Sequence, residues 1–165
     1  MAHRADAATA LLRAGAYDEA LQVATESISH DPGFARGHAT VAWAYAKKGE
    51  YDKGIVSLET AVAVSPGDTM WLAQLGQVYG MAGEMDKARS VLRQLQALSK
   101  ERFVSPYHMA YVHTGLGEWD RAMDYLESAY ENRSGAMYGI KGSFLFTALH
   151  PHPRFKALLH KMNLA

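Results

Sequence analysis

Cysteine is absent from this 165-residue sequence, which excludes disulfides, thiolate metal sites and thiol nucleophiles and fits a reducing compartment. An excess of either charge is absent too. Seventeen Lys and Arg balance seventeen Asp and Glu, with no basic or acidic tail, so the electrostatic footprint of a nucleic-acid binder is lacking. No apolar run approaches the ~18 residues needed to span a bilayer, and the N-terminus shows no signal-peptide core. These absences predict a soluble, cytoplasmic chain that binds neither nucleic acid nor membrane.

Arrangements that support catalysis are missing as well. His108 and His113 are five residues apart, which puts them on different faces of a helix, and the prolines of His150-Pro151-His152 hold that pair extended without a third ligand. Ser27, Ser29, Ser90 and Ser105 stand in no nucleophile elbow. The glycine-rich stretch 135–142 lacks both the spacing and the lysine of a phosphate loop, since Lys141 precedes a glycine and stands alone. Neighbouring carboxylates such as Asp18 and Glu19 fall at helix starts, where capping accounts for them. The expectation is a protein with no enzymatic activity, no metal and no cofactor.

What the sequence does have is a period. Gly15, Gly49, Gly83 and Gly117 recur every 34 residues, and each is followed three places later by an aspartate: Asp18, Asp52, Asp86 and Asp120. Glycine permits the turn, and the aspartate is expected to accept the orphan N–H groups of the helix that starts there. Downstream come Ala20 and Ala24, Gly54 and Leu58, Ala88 and Leu92, and Ala122 and Leu126, spaced so that two helices cross closely. The pattern predicts helices over 3–14, 18–30, 35–48, 52–64, 69–82, 86–99, 104–116 and 120–132, paired into hairpins. Pro32 and Pro66 stop the second helices of the first two hairpins, and Pro106 falls within a first helical turn.

In this register the chain resembles the tetratricopeptide repeat family, whose pattern runs W-x2-L-G-x2-Y, then A-x3-F, then P. The third copy matches best, with Leu72, Leu75, Gly76, Tyr79, Ala88 and Leu92 in place. Gly54 replaces the usual alanine, His113 the usual tyrosine, and Lys100 and Ser134 stand where proline is expected. The resemblance covers about residues 1–134. It implies an all-α, right-handed superhelical solenoid of four helical hairpins (about 1–34, 35–68, 69–102 and 103–134), then an irregular segment and a C-terminal capping helix over 135–165.

The tail leaves the period. Residues 135–142 are glycine-rich, 143–149 form a short apolar run, and helical spacing returns at Phe155, Leu158, Leu159 and Met162. Covering the last hydrophobic face of the solenoid is its expected task. Pro153-Arg154-Phe155 through Leu164 also resembles the ending of bacterial multidomain signalling proteins in which such repeats follow an effector domain, with His152 standing where that motif has aspartate. This likeness implies the regulatory C-terminal part of a larger protein.

In the family, the first helices of successive hairpins line a concave groove that receives a peptide segment of a partner. Carried over by register, that groove is headed by Ala5 and contains Thr9, Arg36, Trp43, Lys47, Met70, Gln77, Tyr107 and Tyr111. Trp43 and Tyr111 share one repeat position and are the expected aromatic anchors. The alternative is that Trp43 packs against a neighbouring hairpin, or that the tail covers Tyr107 and Tyr111. The lysine, asparagine and arginine clamp of chaperone-binding members is not assembled, so an apolar or amphipathic segment fits better than an acidic chaperone tail. Two functions stand open: a scaffold binding a protein or peptide partner, and a self-association module in which the first hairpin or Phe144, Leu145 and Phe146 makes a homodimer.

Overall fold

The computed structural model describes residues 2–165, with side chains described from Asp6 onward, so Ala5 lies outside the described side chains. Four antiparallel helical hairpins follow one another. They pair α1 (Ala2–Ala14) with α2 (Tyr17–His30), α3 (Ala35–Lys47) with α4 (Tyr51–Val64), α5 (Thr69–Met81) with α6 (Met85–Leu98), and α7 (Pro106–Gly115) with α8 (Trp119–Glu131). Each second helix also packs against the first helix of the next hairpin, and α1, α3, α5 and α7 stack side by side. The repeating unit is thus a hairpin that buries its apolar face only against its neighbours, the architecture of a superhelical solenoid.

The turn glycines hold the register. Gly15, Gly49, Gly83 and Gly117 have φ of +79, +79, +83 and +73°, a left-handed conformation that side chains with a Cβ adopt only at a cost. The aspartates behave differently from the expectation. Each second helix starts one residue earlier, at Tyr17, Tyr51, Met85 or Trp119, so the aspartate already lies inside the first turn, past the capping position. The residues that do precede these helices, Ala16, Glu50, Glu84 and Glu118, make no side-chain capping bond. The aspartates act through charge at the positive end of the helix instead, and Asp18 additionally meets Lys48 Nζ at 2.6 Å. Side-chain caps occur on first helices: Asp68 accepts from the Met70 N–H at 2.9 Å, and Ser105 from the Tyr107 N–H with Pro106 beside it.

Small residues set the helix crossings. Ala20, Ala24, Leu58, Ala88, Ala122 and Leu126 are all buried. Gly54, which departs from the family's alanine, sits where a Cβ would come within 2.9 Å of the Ala42 carbonyl on α3. The glycine therefore marks a closer crossing of α3 and α4 and does not weaken the packing position. Restoring the family residue with Gly54→Ala is expected to lower stability by about 1–2 kcal/mol in urea denaturation, because backbone must move to admit it. An unchanged midpoint would show that α3 and α4 separate freely.

Beyond α8 the chain reverses at Arg133, whose φ of +53° lets Ser134 N–H reach the Ala129 carbonyl at 3.0 Å and close the helix end. Two 3-10 helices follow, Gly135–Gly142 and Phe144–Leu149, and then α9 (Pro153–Lys161). Met137 and Ile140 from the first of them, and Phe155 and Leu158 from α9, are buried at the α8 end of the solenoid. Arg154 fixes this cap from outside. Its guanidinium donates to both oxygens of Glu127 at 3.0 and 2.8 Å and to Asp124 at 2.7 Å, a forked geometry that a lysine would not reproduce. His152 Nε2 lies 3.5 Å from Asp120, so an aspartate at position 152 would instead meet a carboxylate of like charge.

Candidate functional site

The first helices present one continuous face, and the second 3-10 helix lies across it. Successive residues of that segment meet successive hairpins. Phe144 sets its ring edge-on to Trp43, with centroids 5.4 Å apart, while its carbonyl accepts from Lys47 Nζ at 3.1 Å. The Leu145 carbonyl accepts from Gln77 Nε2 at 2.6 Å. Phe146 is fully buried against Tyr107 and Tyr111, with centroids 5.0 and 5.2 Å away. The second and third hairpins thus hold this segment by its backbone, and the second and fourth hold it by its rings.

Apart from Ala5, whose side chain is not described, the residues named for the groove by register fall on this face in two groups. Trp43, Lys47, Gln77, Tyr107 and Tyr111 touch the chain's own tail. Thr9, Arg36 and Met70 line an open cavity of about 550 Å³ beside it, together with Leu12, Arg13 and Trp71. The aromatic anchors differ from the expectation in one respect. Trp43 is 2% exposed and Tyr111 5%, so both are walls of a filled groove rather than free side chains. Trp43 is fixed by its indole N–H, which donates to Gln74 Oε1 at 2.7 Å. Phe144, Leu145 and Phe146, considered above as a self-association surface, are turned inward for the same reason. On the other side of the tail lies a smaller cavity of about 330 Å³, reaching Tyr51, Met81, Met85 and Trp119.

Burial shapes the electrostatics of the face. Desolvation lowers the Lys47 pKa and raises those of Tyr107 and Tyr111. Among the described residues no carboxylate pairs with Lys47, whose contacts are the Phe144 carbonyl and, at 6.0 Å, the Phe144 ring. Gln77 Oε1 is likewise buried without a hydrogen-bond partner. Arg36, by contrast, is exposed and lies 3.4 Å from Asp6.

Of the two histidines of α7, His108 borders the site and His113 packs toward α8. His108 Nδ1 is 2.9 Å from Thr69 Oγ1 and its ring stacks on Tyr111. His113 stacks on Tyr125, with Nδ1 2.7 Å from Glu118 Oε2. Burial lowers both pKa values from the ordinary 6.5, and for His113 the Glu118 carboxylate opposes that shift without cancelling it. The unfolded chain therefore takes up protons here before the folded chain does. Stability is expected to be fully present above about pH 6.5 and to fall as the pH is lowered from there. Thermal midpoints between pH 7.5 and 5.5 test this, and His113→Gln should flatten the slope. An equal slope in that variant would remove His113 from the account. No group of three His, Asp or Glu able to hold a metal occurs among the described residues, and no described helix is long and apolar enough to cross a membrane.

Stacked helical hairpins in this order form a tetratricopeptide-like solenoid. Residues 11–73, from α1 into α5, match the tetratricopeptide repeat family model. No curated protein matches the sequence. Among solved structures the chain is similar to a thermophilic tetratricopeptide-repeat protein of Thermus thermophilus, with 23% identity, a TM-score of 0.60, and 84% of this chain and 77% of that one covered. It is also similar to MamA from Desulfovibrio magneticus, with 17% identity, a TM-score of 0.53, and 98% and 92% covered. At these identities the likeness is one of fold.

Proposed function

We propose that this chain is an interaction scaffold that receives an apolar or amphipathic segment of a partner protein along its concave face. One observation carries the reading: Lys47 and Gln77 donate to the main-chain carbonyls of two successive residues, while aromatic rings on either side take the side chains. A face so built holds peptide backbone of varied sequence and selects by its aromatic walls. The open cavity at Thr9, Arg36 and Met70 continues this face and offers room for more of that segment. The resemblance of the tail to the ending of bacterial signalling proteins supports a regulatory setting for such a scaffold.

Burial of Trp43 and Tyr111 makes their alanine variants poor probes, because they would disturb the core. A photo-crosslinking residue at Met70 is the better reporter, with one at Val56 on α4, which is 61% exposed, as control. A partner crosslinked from Met70 and not from Val56, and reduced by Arg36→Ala, is the expected outcome. Capture from Val56 alone, or equally from both, would place binding elsewhere and reject the concave face.

A further inference from the structure

We infer that the segment Phe144–Phe146 is an exchangeable internal ligand, and that the partner displacing it carries an aromatic–aliphatic–aromatic motif with an acidic residue beside the first aromatic. This inference rests on the peptide-groove reading and names the ligand and its control. Three observations point the same way.

The segment is held as a bound peptide is held, by side-chain donors to its carbonyls and by rings packed edge-on or stacked against its rings. Its fit is nevertheless incomplete at two groups. Lys47 is a half-buried ammonium with a carbonyl for a partner and no carboxylate among the described residues, so a ligand carboxylate would supply the missing counter-charge. Gln77 spends its amide N–H on Leu145 and leaves Oε1 buried without a donor. A peptide in extended conformation can present both a carbonyl and an N–H to one amide side chain, whereas the 3-10 turn gives Gln77 only the Leu145 carbonyl. Finally, the segment is flanked on both sides by elements that are anchored on α8. The first 3-10 helix and α9 pack on α8, with Arg154 holding Glu127 and Asp124, so the segment between them can leave while the cap stays.

The tether makes the internal segment present at high effective concentration, so a weak fit still occupies the groove until a better-matched segment arrives. Phe144 is half-buried and contributes its ring to Trp43, so Phe144→Ala is expected to weaken the internal ligand while leaving its backbone contacts and the cap in place.

The probes are two fluorescent peptides, one of residues 142–149 and one of the same residues with Ser143→Glu, titrated into the full chain by anisotropy. The Phe144→Ala protein is expected to bind the first peptide at least ten-fold tighter than the unaltered protein does. The glutamate peptide should bind several-fold tighter again, with an advantage that falls with salt and disappears in a Phe144→Ala/Lys47→Met protein. Equal affinity of both proteins for the peptides would show that the tail does not compete. Absence of binding to a Phe144→Ala protein with unchanged circular dichroism would make the segment a fixed cap. Concentration-dependent dimers of the unaltered chain that vanish in Phe144→Ala would assign the groove to a second copy instead. Each of these three results overturns the inference, whereas the crosslink from Met70 decides independently whether the concave face binds a partner at all.

Discussion

Replacing Gly115 with alanine is expected to destabilise the protein by about 2–3 kcal/mol, as backbone forced apart in a packed core costs more than a side chain that can rotate away. A Cβ at Gly115 would stand 2.3 Å from the Gln77 carbonyl and 2.6 Å from its Cα, and the reciprocal Cβ at Gly80 would stand 2.4 Å from the Gly115 carbonyl. Helices α5 and α7 therefore touch backbone to backbone, and neither clash can be relieved by a rotamer change. Moving α5 away from α7 would also move Gln77 relative to Leu145, so the variant is expected to loosen the tail in addition to lowering the unfolding midpoint. Urea denaturation reads the first effect, and faster hydrogen exchange over 144–149 reads the second. A midpoint within error of the parent would mean that the two helices are not held at this spacing.

Phe155→Ala has the other large expected effect, a loss of about 3–5 kcal/mol. The ring is fully buried at the end of the solenoid and stacks on His150 with centroids 5.3 Å apart. Truncating it leaves a cavity between α9 and the cap, where Arg154 alone cannot hold the helix, since its contacts lie near the surface and are screened by water. Denaturation followed by tryptophan fluorescence measures the loss. A change below about 1 kcal/mol would show that α9 docks on a solenoid already stable without it.

The hairpins were legible because their causes are local and repeat. A turn glycine every 34 residues and a small residue at each crossing need no knowledge of what lies far along the chain, and the observed helix limits fall within two residues of the expected ones. The exception within that pattern was the aspartate, whose capping role depends on a one-residue shift of the helix start. The groove residues were also placed on a common face by register alone, because first helices repeat in orientation. What fills that face was not readable in the same way. Phe144, Leu145 and Phe146 form an apolar run with no period, and nothing in three such residues distinguishes a surface for another molecule from a segment folded back onto Trp43 and Tyr111. The role of Gln74 is equally non-local, since it comes from the Trp43 indole N–H that reaches it from the neighbouring hairpin.

A linear array of hairpins, each touching only the next, can melt one unit at a time from either end. The tail changes that behaviour. Lys47 and Phe144 are 97 residues apart in the chain and Gln77 and Leu145 are 68, so these bonds connect the second and third units directly to the C-terminus. Loss of the fourth unit then exposes surface on the second, and the three units become a closed ring of mutual dependence in place of a string. Only the first hairpin stands outside the ring by these bonds. Heating should consequently release α1 and α2 in an early, shallow step and the remainder in one sharp step, and a ligand that displaces the tail would cut the ring and return the molecule to stepwise melting.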